Sequence, residues 1–125
     1  MKKGFVAIIL ILCFLLQGCG QIAGANFLAA KGTVLYKKGR YQEAVVALKE
    51  AIKVRKSHGS AHYYLTLSYA KMGKKKEAIR GLEDYLEYTK KPNVWLSPID
   101  KGIIPKCEDL LRKLKTGSEA SQKMS

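Results

Sequence analysis

The sequence predicts an all-α domain, and three observations carry that prediction. Apolar residues recur at helical spacing, first as Ala44, Leu48, Ala51 and Ile52 and again as Ala78, Leu82, Tyr85 and Leu86. Single glycines, Gly39 and Gly73, fall where a helix would close on a glycine cap. The chain also matches itself when shifted by 34 residues. The predicted architecture is two helix-turn-helix repeats and a C-terminal capping helix, preceded by an N-terminal export segment.

Composition narrows the function. At 125 residues, 47% hydrophobic and 26% charged, the chain is one globular domain, too short for two separate cores. Three cysteines, two of them in the first twenty residues, exclude a disulfide scaffold. An enzyme with a deep, many-layered site is not expected at this length.

The first element is the export segment. Lys2 and Lys3 precede an apolar run from Phe5 to Leu16, 12 residues long, where about 20 are needed to span a hydrocarbon core. A basic start, a short apolar stretch and small residues after it form the layout of a secretory signal. The run ends in Leu16-Gln17-Gly18-Cys19, which resembles the lipobox of bacterial lipoproteins: Leu16, Gly18 and Cys19 occupy the key slots, and Gln17 stands where Ser or Ala is commoner. The resemblance implies that 1–18 is a signal peptide, that Cys19 is acylated and becomes the N-terminus, and that 19–25 is a short tether. Gly20, where an Asp would favour inner-membrane retention, implies the outer membrane facing the periplasm in a Gram-negative host. In a Gram-positive host the anchor would be the outer face of the cytoplasmic membrane. The alternative is a plain signal anchor extended to Ala30; Gln17, Gln21, Asn26 and the glycines interrupt it.

The repeats follow. The 34-residue shift aligns Lys37 with Lys71, Gly39 with Gly73, Glu43 with Glu77, Ala44 with Ala78 and Leu48 with Leu82. Leu28, Gly32 and Leu35 form the stripe of the first helix, and Leu65, Tyr69 and Met72 that of its second copy. The small residues Gly32, Ala44 and Ala51 permit close helix approach. This period, with its Gly turn followed by Glu-Ala-apolar, resembles the tetratricopeptide repeat (TPR), with copies at about 25–58 and 59–92. The departures are Lys75 in the aromatic slot that Tyr41 fills, Thr66 in the small slot that Gly32 fills, and Lys56 and Lys90 in place of the closing Pro.

Two repeats are few for a self-sufficient stack. The missing cover is expected from a capping helix at about 103–115, where Ile103, Ile104, Cys107, Leu110, Leu111 and Leu114 share one face and Pro105 stands near the start. Cys107 on that face reads as a buried, inert thiol. The helical domain thus covers 26–115. An irregular loop over 89–102 carries Pro92, Trp95 and Pro98, and is longer than the usual helix–helix turn. Trp95 and Leu96 either fold back over the array's end or meet a partner. The tail, 116–125, reads as disordered.

No acid–base or nucleophilic constellation stands out, so no enzyme, cofactor or metal is expected. His58 and His62 are four apart without a third ligand nearby, and His62 falls where the repeat carries a packing aromatic. The adjacent pairs Glu83-Asp84 and Glu108-Asp109 diverge on a helix.

Charge is the remaining signal. With 23 basic and 10 acidic residues the formal net charge is +13, and +11 without Lys2 and Lys3. Beyond a cluster at Lys53, Arg55 and Lys56, Lys38 and Arg40 in the first copy and Lys74, Lys75 and Lys76 in the second sit at equivalent turns. These turns should line one basic edge, either plain solvated surface or a polyanion site. Export disfavours nucleic acid and leaves anionic lipid, lipopolysaccharide phosphate or an acidic protein. A tether of six residues, Gly20 to Ala25, spans roughly 20 Å when extended, which would hold that edge near lipid phosphates.

The TPR resemblance also implies a partner groove on the first helix of each repeat. Carried over residue by residue, it comprises Thr33, Tyr36 and Lys37 from one copy and Tyr63, Leu67 and Lys71 from the other. Thr33 and Leu67 stand where carboxylate-clamp members have Asn, so that mode is not expected. The expected function is a membrane-anchored, non-catalytic adaptor or assembly factor binding another envelope protein. The rival is a basic surface protein of lipid phosphates.

Overall fold

The computed structural model describes residues 2–123, with side-chain surroundings described for 2–15 and 24–117. Five helices follow one another: α1 (Lys2–Lys37), α2 (Tyr41–Val54), α3 (Gly59–Lys71), α4 (Lys75–Thr89) and α5 (Pro98–Lys123). The fold is all-α.

Two glycine turns organise the repeats. Gly39 and Gly73 have φ of 79° and 76°, a left-handed conformation that L residues with a Cβ adopt at a cost. Around Gly39, its N–H donates to Tyr36 O over 3.0 Å and Arg40 N–H donates to Leu35 O over 2.9 Å. Around Gly73, the N–H donates to Ala70 O over 3.1 Å and Lys74 N–H to Tyr69 O over 2.9 Å. Both turns are Schellman closures, which satisfy carbonyls the helix end would otherwise leave open. Arg40 (φ −90°, ψ 66°) and Lys74 (φ −92°, ψ 62°) then start the next helices with nearly the same backbone. The repeat inferred from side-chain pattern is therefore a repeat of hydrogen bonds.

The expected stripes form the core. Leu35, Ala44, Leu48 and Ala51 are buried in the first repeat, and Ala78, Leu82, Tyr85 and Leu86 in the second. Each large apolar side chain so buried contributes about 1.5–3 kcal/mol. A Cβ on Gly32 would lie 2.4 Å from Leu48 Cγ, so α1 and α2 approach too closely for any larger residue there. Cys107, wholly buried, joins Leu82, Tyr85 and Leu86 with Ile103, Ile104, Leu110 and Leu111 packed around them. The α5 helix thus covers the downstream end of the array, while Phe27 and Val34 leave the upstream end, on α1, exposed.

The boundaries differ from expectation in three places. The tether over 19–25 is helical, because no proline precedes Pro92 and a mid-helix glycine such as Gly20 or Gly24 weakens a helix by only about 1 kcal/mol. The irregular loop is shorter, since α5 begins at Pro98. There Ser97 is the N-cap: its Oγ accepts from Asp100 N–H over 3.1 Å and its hydroxyl donates to Asp100 Oδ2 over 2.6 Å. Pro98 takes the first helical position, which tolerates a missing N–H, and Pro105 lies inside the helix rather than near its start. The helix also runs on through 116–123, the stretch expected to be disordered. Thr116 Oγ1 donates to Arg112 O over 3.0 Å, and no proline follows to stop the ladder.

Candidate functional site

The antiparallel helices place their ends on two opposite edges. On one edge, His58 Nε2 and Asn26 Oδ1 lie 3.1 Å apart, and Gly59 N–H donates to Asp100 Oδ1 over 3.0 Å. Asn26 of α1, the start of α3 and the start of α5 are therefore level. On the other edge lie both glycine turns: Met72 lines one surface concavity with Gly39, Arg40 and Glu43. Lys38, Arg40, Lys74, Lys75 and Lys76 occupy this second edge, with Arg40 paired to Glu43 over 2.5 Å.

This geometry corrects the expected relation between basic edge and bilayer. With α1 continuous, Cys19 and Lys37 are 18 residues apart on one helix, about 27 Å along its axis at 1.5 Å per residue. Lipid-phosphate attraction decays over about 8–10 Å, so the turn clusters face away from the segment that carries Cys19. The lipobox side chains, Leu16, Gln17, Gly18 and Cys19, lie outside the residues whose surroundings are described.

The face expected to hold a partner is built by α1 and α3. Tyr36 packs with ring centroids 5.6 Å from Tyr41 and 5.5 Å from Tyr64, and Tyr63 meets Tyr64 edge-on at 5.4 Å. Tyr36, Tyr63 and Leu67 are half-buried, so they support the fold and still present a surface. Thr33, half-buried, donates its hydroxyl to Ala29 O over 2.8 Å. It lines a shallow concavity of about 410 Å³ with Asn26, Ala30, Ser60 and Tyr64. Lys37 and Lys71 are exposed at the far ends of α1 and α3. The structure brings Thr33, Tyr36 and Tyr63 together around Tyr64, the residue the sequence reading missed.

A second cleft, of about 370 Å³, lies on the opposite side between α2 and α4, floored by Leu65, Thr66 and Tyr69 of α3. Lys49, Lys53 and Lys56 line one wall and Glu77 and Asp84 the other. Lys56 Nζ stands 4.8 Å over the Tyr88 ring and Lys49 Nζ 5.7 Å over Tyr69, both within cation–π range. The aromatic spacing of α3 and α4 was visible in sequence. The cleft was not, because it needs α2 and α4 side by side.

Both histidines serve the fold. His58 caps α3, its Nδ1 accepting from Ala61 N–H over 3.3 Å. His62 stacks on Tyr85 with centroids 4.1 Å apart, in the aromatic slot the repeat pattern assigned to it, and its Nε2 lies 2.9 Å from Lys56 O. Burial lowers the pKa of each, that of His62 to about 4. Burial raises the Cys107 thiol to about 11, which keeps it protonated and inert.

The family model of the TPR repeat matches residues 32–73, from the α1–α2 contact at Gly32 to the second glycine turn. The chain contains a TPR repeat. TPR repeats typically bind other proteins, and the match includes all six candidate partner-face residues, Thr33, Tyr36, Lys37, Tyr63, Leu67 and Lys71. No curated protein and no solved structure matches the chain.

Proposed function

We propose that the chain is a membrane-anchored, non-catalytic TPR adaptor or assembly factor of a bacterial cell envelope, holding a second envelope protein on the α1–α3 face. The observation that carries the reading is the TPR repeat with half-buried Tyr36, Tyr63 and Leu67 on that face, aromatic and apolar anchors that a partner can cover. Membrane attachment is supported by the Leu16-Gln17-Gly18-Cys19 sequence after a basic and apolar start. Among the described residues no helix is long and apolar enough to cross a membrane, so acylation of Cys19 is the attachment proposed. Multiple acyl chains, at about 0.8 kcal/mol per buried methylene, make an effectively permanent anchor. The lysines of the turn edge suit an acidic segment of the same protein partner.

Metabolic labelling with a fatty-acid analogue tests the anchor. The wild type should incorporate the label and appear cleaved after Gly18, and Cys19→Ser should remain an unlabelled precursor. An unlabelled wild type would remove the lipoprotein from the reading.

A further inference from the structure

Uncovered apolar surface is concentrated at the edge where α1 enters the domain. Trp95 is 74% exposed and Ile99 76% exposed, one in the loop between α4 and α5 and the other in the first turn of α5. The indole does not fold back over the array. The start of α5 is hydrogen-bonded to the start of α3 through Asp100 and Gly59, and α3 in turn reaches α1 through His58 and Asn26. The loop lies beyond the helix ends it connects. Everything in α1 before Asn26 therefore leaves the domain on the side of Trp95, including the exposed apolar residues Phe5 to Leu15. Cys19 is seven residues before Asn26, about 10 Å along the helix.

The charge at this edge matches. Lys56, Lys90, Lys91 and Lys101 are exposed there, and none of the ion pairs among the described residues involves them. Asp100 at this edge is engaged by Arg55, and Glu87, exposed in the last turn of α4, sets one negative charge against the four lysines. An exposed amphipathic indole and an exposed isoleucine on an edge that carries Lys90, Lys91 and Lys101, with Lys56 held over the Tyr88 ring, form the composition that settles at a bilayer's headgroup level.

We propose that the Trp95–Ile99 edge is a membrane-docking surface, on which the indole and Ile99 enter the interface while Lys56, Lys90, Lys91 and Lys101 meet anionic lipid phosphates. This rests on the anchoring proposed above, in which the acylated Cys19 brings this edge to the bilayer. A protein partner for the same patch is the alternative, disfavoured because the proposed anchor at Cys19 lies only seven residues before Asn26 on the helix that leaves from this edge. Docking would fix the α1–α3 face at a set height instead of letting it swing on a single point.

The chain contains one tryptophan, so its fluorescence reports Trp95 alone. Full-length protein extracted from its own membranes would be reconstituted into vesicles of zwitterionic and anionic phospholipid, with and without bromine near the headgroup end of the acyl chains. Flotation of the vesicles reads anchoring separately. The expected result is co-flotation, a blue-shifted emission and loss of about half the intensity in brominated vesicles, as for a ring at headgroup level. The variant with Lys90→Gln, Lys91→Gln and Ile99→Ser, all at exposed positions, should float equally and lose most of the quenching. Co-flotation with an unquenched Trp95 overturns the docking surface while leaving the anchor intact, and assigns the patch to a protein partner. Quenching that the triple variant leaves unchanged overturns it as well, since the tether alone would then explain proximity. Absence of flotation overturns the anchor and the docking surface together.

Discussion

Arg55 and Asp100, 45 residues apart, meet at the junction of the two repeats and the capping helix: Arg55 Nη1 donates to Asp100 Oδ2 over 2.7 Å. The Asp100 side chain is 2% exposed and that of Arg55 22%. The same carboxylate accepts from Gly59 N–H at the start of α3 and from the Ser97 hydroxyl at the start of α5. Burial pushes its pKa up, but the Ser97 and Gly59 donors and the Arg55 guanidinium outweigh burial and hold it below the ordinary carboxylate range. One side chain thus ties three elements together.

Removing Asp100 should therefore cost more than a surface ion pair does. Asp100→Ala leaves a partly buried guanidinium, whose Nε already lacks a partner, without its counter-charge. The expected loss is about 3–5 kcal/mol in urea unfolding. Asp100→Asn keeps acceptors for Gly59 and Ser97 and should lose less. A change under about 1 kcal/mol in Asp100→Ala, the range of an exposed pair, would mean that the junction is held by apolar packing alone.

The glycines separate two physical effects. Gly39→Ala and Gly73→Ala meet open space but keep a positive φ, so each should cost about 1 kcal/mol. Gly59 has an ordinary φ, but a Cβ there would lie 2.2 Å from Ile103 Cγ2 and 2.9 Å from the Tyr85 hydroxyl. Gly59→Ala should cost about 1–3 kcal/mol by overpacking. Thermal unfolding of the three variants checks the order, and an unperturbed Gly59→Ala would show that α5 does not seat on α3 as described.

Stability should fall in mild acid. The folded-state pKa of His62 is depressed from 6.5 to about 4 by burial. The unfolded chain therefore takes up its proton first. The contribution is full above pH 6.5 and is lost as pH falls toward 4, on the order of 3 kcal/mol for this one group. His58, lowered in the same direction, adds to it. His62→Phe retains a ring to stack on Tyr85 and should flatten the slope between pH 6.5 and 4. Denaturant midpoints measured across that interval decide it; an unchanged slope in His62→Phe would assign the acid sensitivity elsewhere.

Much of the fold was legible because its signals are local. A glycine that closes a helix and a Glu-Ala pair that opens the next recur 34 residues apart, and the structure turns them into matching Schellman closures at Gly39 and Gly73. The start of α5 was legible in principle: Ser97-Pro98-Ile99-Asp100 is a capping signature, but it falls inside the loop expected over 89–102, and Pro105 suits a helix start near 103 equally well. What could not be read was tertiary. Tyr64 completes the partner face only when α1 lies beside α3, and the α2–α4 cleft exists only in the stacked array. The turn lysines fall at equivalent positions of the two repeats, but their distance from Cys19 depends on α1 continuing through the tether.

The central claim is that the α1–α3 face holds a protein partner. Its most direct test is site-specific photo-crosslinking of the full chain in its own membranes, with the photoreactive residue at Thr33 or Leu67 on that face, or at Val46, exposed on α2. The account predicts one common protein adduct from Thr33 and Leu67 and none from Val46. Adducts from Val46 alone, or none from the two face positions, would contradict it.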